Sequence, residues 1–379
     1  MCLRRVLFFL SFFLVCHAGF ADHAAELAAS LDDSALAAQV LLSGIDGKQN
    51  LAPAMKSLLE KIPSGGIMLF RYNLDSSKEE VKALLGSAAA AVTGRTGIPP
   101  FMAVDHEGGL VHRFGAAAER LPSAFSFWEL AQKAGREEAL ARARTVYTRS
   151  AEEIHKLGIT MVLGPVAETL NDDNVNFLET RSYGPDADFT QAAASEFIKS
   201  MSSAGIAAAP KHFPGNSGAD PHGGASVLKA GKPELDNMIK PFAGIIRNLN
   251  PPALMVSHVM VPALDSQRIA SLSRPVIEGW LRGELGFKGL VIADDFSMGA
   301  VSALGFSPAA AAVEALNAGV DMIMVWPQNI EPVHAYILNA LKQGSLSRER
   351  LVEAAERIIR EKLNIGMSFV NMMIKREMS

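Results

Sequence analysis

The sequence predicts one (β/α)8 barrel of the TIM type. Eight short apolar runs recur along the chain without polar alternation, the pattern of strands buried on both faces. Stretches with helical start and stop signals lie between them. Several runs end directly in a charged or titratable residue: Asp105, Lys211 with His212, His258, and Asp294 with Asp295. A parallel barrel carries its chemistry there, at the C-terminal ends of its strands. The chain of 379 residues has room for such a barrel, whose usual size is about 250 residues and grows with insertions. A doubly wound open sheet is the alternative. It normally has fewer strands and opens on a glycine-rich phosphate turn, which this sequence lacks.

In chain order, residues 1–21 read as a signal peptide. Arg4 and Arg5 precede the apolar run VLFFLSFFLV (6–15), and Gly19-Phe20-Ala21 supplies a small-x-small cleavage site, so the mature chain is expected to start at Asp22. The run is short for a bilayer span, and no stable membrane insertion is expected once it is removed. Lipid attachment at Cys16 is the second reading, ranked lower because Phe13-Leu14-Val15 lacks small residues. Both cysteines, Cys2 and Cys16, fall in this segment, so an exported barrel is expected without disulfides.

A helical start is expected from Asp22 to Leu36. The strand runs follow at 38–45, 65–70, 100–105, 159–166, 206–212, 253–258, 289–294 and 321–326. Ser76-x-x-Glu79 reads as a capping box opening the helix that runs on from Glu80. Arg136 to Leu157 is long and amphipathic. Ser273 to Leu285 stops at Gly286, and Ser307-Pro308 opens a helix that Gly319 ends. Leu346 to Met367 reads as the closing helix, so the catalytic domain is placed at 22–367 and a tail at 368–379.

Composition narrows the partners. A net charge of −4 points neither to nucleic acid nor to an anionic membrane surface. No metal-ligand cluster or nucleotide loop is present in the sequence, so no cofactor and no metal are expected. The protein is expected to be a monomer. The stretch APKHFPGNSGADPHGG (209–224) is too rich in Pro and Gly for regular structure. It sets Lys211-His212 at a strand end and places Asp220 two residues before His222, a spacing at which a carboxylate can orient an imidazole.

The landmarks GGIMLFRYN (65–73), AVDHEGGLVHRF (103–114), ETRSYG (179–184), KHFPG with D-P-H (211–222), the run from Ala270 to Ala300 and AGVDMIMV (318–325) stand in one order. In that order they resemble glycoside hydrolase family 3, closest to its single-domain β-N-acetylglucosaminidases of the NagZ type, from about Leu36 to Gly366. The resemblance implies a retaining exo-β-N-acetylhexosaminidase acting on cell-wall or chitin-type oligosaccharides, and the leader at 1–21 places that work in the periplasm or outside the cell as an expectation. It implies Asp294 of IADDFSM as the nucleophile, and His222 held by Asp220 as the acid/base. Asp105, Arg113, Arg181, Lys211 and His212 are implied to bind the sugar. Asp295 is expected to be structural, because neighbours on a strand face opposite sides. Should His222 prove to be a positioning residue, His212 and Glu107 are the next candidates for proton donor.

The sequence departs from the family pattern in four respects. Asn216 stands where most relatives have His, the loop to D-P-H is shorter, Pro221 replaces a small polar residue, and Leu110 replaces an Arg. Alternative readings are a β-glucosidase or β-xylosidase of the same family, a β-glycoside phosphorylase, or a non-catalytic sugar-binding protein on this scaffold. A phosphorylase is included because an imidazole repels phosphate less than a carboxylate would.

Overall fold

The computed structural model describes residues 23–217 and 226–367. The expected signal peptide, the Asp220–His222 dyad and the tail from 368 lie outside the described residues.

Each of the eight apolar runs supplies one strand of a parallel sheet: β1 (Leu41–Gly44), β2 (Gly66–Leu69), β3 (Phe101–Asp105), β4 (Met161–Val166), β5 (Ala207–Lys211), β7 (Ala253–Val256), β10 (Leu290–Ala293) and β11 (Met322–Val325). Neighbours in the ring follow chain order, and β11 pairs back onto β1. Between β5 and β7 the ring is bridged by Phe213, whose N–H donates to the Met255 carbonyl at 2.8 Å and whose carbonyl accepts from the Ser257 N–H at 2.8 Å. The sheet is thus a nearly closed barrel, and the predicted fold class stands. Its strands are buried along their whole length except at Asp105, because helices cover the outside and side chains fill the inside.

A second, three-stranded sheet was not expected. It joins β6 (Ser226–Val227), β8 (Val259–Val261) and β9 (Asp265–Ile269). Its β9 strand, DSQRI, is polar and mostly exposed, so it carries no apolar signal.

Three local expectations shift. The helical start breaks in two, a helix at 23–30 and a second at Asp33–Gln39. The break falls where Asp32 turns extended to cap the second helix, its carboxylate accepting from the Ala35 N–H at 2.7 Å. The capping box is one residue later than predicted: Ser77 and Glu80 close it, and the helix runs Lys78–Thr96. Two serines followed by two glutamates allow either register, and the backbone selects the second. The Ser307 cap, Pro308–Ala318 helix and left-handed Gly319 stop are as read. The closing helix is Arg348–Asn364.

The N-terminal face of the barrel holds polar groups that serve the fold. Asp321, fully buried ahead of β11, receives Arg282 at 2.7 Å, Arg350 at 2.9 Å and Arg357 at 3.0 Å, and also the Val291 N–H at 3.0 Å. Lys362 is fully buried too, with its ammonium 3.2 Å from Gln39 Oε1 and 5.3 Å from the Phe101 ring centre. With so little compensation, burial pulls its pKa down to about 7.

Candidate active site

The opposite face collects the charged strand ends. β3 delivers Asp105 as its last residue, and the chain then turns sharply. Gly108 takes φ +90° in that turn, and a Cβ there would meet the Pro122 carbonyl at 2.2 Å, so only glycine fits. The turn sets Glu107 inward beside Asp105. β5 delivers Lys211 from the other side of β4.

These residues form one buried ion network. The Lys211 ammonium lies 2.6 Å from Asp105 Oδ1 and 2.7 Å from Glu107 Oε1. Arg181 grips Glu107 with two bonds, Nε to Oε2 at 2.7 Å and Nη2 to Oε1 at 2.9 Å. Arg113 Nη2 reaches Asp105 Oδ2 at 3.4 Å, and its Nε is buried with no partner among the described residues. Burial pushes the Glu107 carboxyl up, but Lys211 and Arg181 outweigh it and hold the pKa far below the usual range. Glu107 is therefore a fixed anion that orients two cations, and it cannot serve as a proton donor. These contacts bring Asp105, Arg113, Arg181 and Lys211 together.

Asp294 follows β10 directly. Burial pushes its carboxyl up, yet the imidazoles of His212 and His258, the Asp295 N–H and the Lys211 ammonium outweigh burial and lower its pKa. It is an ionised carboxylate on a rigid strand end. Asp295 is turned to other work, though strand alternation is not the reason, since β10 already ends at Ala293. Its carboxylate accepts from Ser297 N–H at 2.9 Å, Ser297 Oγ at 2.6 Å and the Trp326 indole N–H at 2.5 Å. Trp326 is in turn stacked on Phe70 with ring centres 4.4 Å apart. His258 is fully buried, and its Nε2 donates to the Asp295 carbonyl at 3.0 Å. A carbonyl only accepts, so Nδ1 takes the Ser271 hydroxyl proton at 2.7 Å. Burial lowers the His258 pKa against the pull of Asp294, consistent with a neutral ring.

Sequence reasoning missed Glu168. It lies two residues beyond β4 with its side chain only 2% exposed, and it holds His212 Nδ1 at 2.6 Å. The same carboxylate accepts the Asn216 N–H at 2.6 Å and the Asn216 side-chain amide at 3.2 Å. The signal was present, an acid just past an apolar run, but the segment GPVAETL carries no other charged residue. Asn216, noted as a departure, is thus bonded within the site, whereas Leu110 is 59% exposed. Among the described residues no group of His, Cys, Asp and Glu has metal-binding geometry.

The glycosyl hydrolase family 3 N-terminal domain matches residues 34–361. The chain belongs to glycoside hydrolase family 3. Within the family, β-hexosaminidase A of Pseudoalteromonas piscicida is 26% identical over 348 residues, 86% of this chain and 57% of that protein. The β-hexosaminidase of Methylococcus capsulatus is 33% identical over 293 residues, 75% of this chain and 81% of that protein. Among solved structures, a glycoside hydrolase family 3 β-N-acetylglucosaminidase from Paenibacillus sp. str. FPU-7 superposes with a TM-score of 0.83 at 27% identity, over 89% of this chain and 63% of that one. NagZ from Neisseria gonorrhoeae superposes with a TM-score of 0.70 at 25% identity, over 85% of this chain and 97% of that one. The chain thus spans between half and two thirds of the first and third of these relatives and most of the other two.

Proposed function

We propose that this family 3 chain is a retaining exo-β-N-acetylhexosaminidase that removes terminal β-N-acetylglucosamine from cell-wall or chitin-type oligosaccharides. The observation that carries the reading is Asp294, ionised at a strand end beside the Asp105–Lys211–Glu107–Arg181 network. Carboxylates and cations fixed by one another present directional acceptors and donors to vicinal hydroxyls. The names of the relatives support N-acetylhexosamine as the sugar.

In this mechanism the Asp294 carboxylate attacks the anomeric carbon while a proton passes to the leaving oxygen, giving a β-glycoside's α-linked glycosyl-Asp294 ester and the free aglycone. Water, deprotonated by the same acid/base group, then attacks the anomeric carbon and releases Asp294 and the sugar with retained configuration. The acid/base is assigned to His222, held by Asp220. Two facts support looking there. Glu107, Glu168 and Asp295 are each engaged by donors within 3 Å. The segment carrying the dyad joins Ser217 to Ser226, and these ends are tied together by Ser226 Oγ, which donates to the Ser217 carbonyl at 2.5 Å. The enzyme acts after export, in the periplasm or outside the cell, on the strength of the Arg4-Arg5 and apolar leader.

A panel of chromogenic β-glycosides tests the reading. N-acetylglucosaminide is expected to be cleaved fastest. Faster cleavage of glucoside or xyloside overturns the sugar assignment, a rate that depends on phosphate points to a phosphorylase, and no cleavage with retained sugar binding points to a dead scaffold.

A further inference from the structure

We propose that Glu168 is a positioning residue of the reaction: it fixes the His212 imidazole and the turn that carries it, and through His212 it holds Asp294 ready for attack. The proposal rests on the assignment of Asp294 as the nucleophile. Glu168 comes from the segment after β4, and His212 directly follows the neighbouring strand β5. Oε1 accepts from His212 Nδ1 at 2.6 Å, from the His212 backbone N–H at 3.3 Å and from Asn216 Nδ2 at 3.2 Å. Oε2 accepts from the Asn216 N–H at 2.6 Å and from Nδ2 at 3.4 Å. One carboxylate therefore pins both ends of the turn from His212 to Asn216, which the Gly215 N–H closes on the His212 carbonyl at 2.6 Å.

Among the described residues every partner of Glu168 can donate. The backbone N–H groups can only donate, so both oxygens are used as acceptors, and Nδ1 of His212 must carry its proton. That leaves Nε2 outside the bond to Glu168. The half-buried Phe177 ring lies 6.4 Å from the imidazole, and Arg181 sits over the same Phe177 at 5.4 Å, so His212 and the ion network share one wall. The groups that act electrostatically on Asp294 are His212, His258, Lys211 and the Asp295 N–H. His258 is held by Ser271 and the Asp295 carbonyl, and Lys211 is shared between two carboxylates. Of the two imidazoles, only His212 is oriented by a carboxylate. Asn216 is the complementary part of the device. A side-chain amide offers the donor that Glu168 takes and adds no charge to compete with the imidazole.

The test combines a readout free of turnover with a kinetic one. The Asp294 carboxyl is followed by 13C NMR against pH in wild type, Glu168→Gln, His212→Asn and the double variant. Gln presents an amide N–H where the Asn216 and His212 donors need an acceptor, so the imidazole is released. The Asp294 titration is expected to move to higher pH in Glu168→Gln. The same variant is expected to lose roughly ten- to a hundredfold in kcat/KM, the size usual when a supporting shell is loosened. The acid limb of its pH profile is expected to move to higher pH, because the nucleophile then ionises later. In the His212→Asn background Glu168→Gln is expected to cost less than about twofold, since coupled residues do not add. Additive losses, or an Asp294 titration that stays put while only the melting temperature falls, overturn the proposal. Should Glu168→Gln not fold, His212→Asn alone must still raise the Asp294 titration, and its failure to do so overturns the proposal equally. Wild type inactive on N-acetylglucosaminide but showing these shifts would sink the sugar assignment and leave the positioning role standing.

Discussion

At the residue scale the account turns on two neighbouring aspartates with different surroundings. Asp294 is left to the imidazoles and Lys211, whereas Asp295 is spent on Ser297 and Trp326. Asp294→Ala is expected to abolish turnover while the thermal melt stays close to wild type, because no fold contact of comparable weight is lost. His222→Ala is expected to slow natural glycosides far more than activated aryl glycosides in the first step, and azide should restore turnover by giving a β-glycosyl azide. An equal loss on both substrate types without rescue would make His222 a positioning residue. Sequence alone yielded the strand-end residues because a charged group after a buried run is conspicuous. It did not yield Glu168, whose meaning lies in His212 and Asn216, more than forty positions away in the chain. It also gave the wrong reason for Asp295, since the strand stops before the alternation argument applies.

At the element scale the two faces of the barrel do different things. Asp321→Ala is expected to cost about 3–5 kcal/mol, the price of leaving buried charges uncompensated, here three arginines. Chemical denaturation reads that loss, and activity at low temperature should survive, since Asp321 lies on the face away from Asp294. Lys362 gives a signed pH dependence. Its folded pKa of about 7 is below the unfolded value of 10.5, so between those values the unfolded chain binds more protons and stability rises with pH. Lys362→Met is expected to raise the melting temperature most below pH 7 and to flatten the rise toward pH 10. A parallel shift at all pH values would mean the amine is charged in the fold. Helix boundaries were legible to within a residue where one cap was possible, as at Ser307, and slipped where two registers competed, as at Ser76 and Ser77.

At the scale of the whole molecule, the barrel was legible because eight doubly buried strands leave eight apolar runs, each long enough to be counted. The polar three-stranded sheet was not, because its strands are short and β9 is solvated. The proposed export has its own test: N-terminal sequencing of the native protein is expected to begin at Asp22, and intact Met1 in a cytoplasmic fraction would contradict it. The barrel brings Asp105 and Lys211 from strands on either side of β4 and sets Asp294 within the field of Lys211, and the proposed retaining mechanism rests on this arrangement. Its most direct test is to trap the intermediate with a slow fluorinated glycoside and map the label by mass spectrometry. One sugar per chain is expected, esterified to Asp294. Label on Asp295, or product of inverted configuration with no label at all, would contradict it.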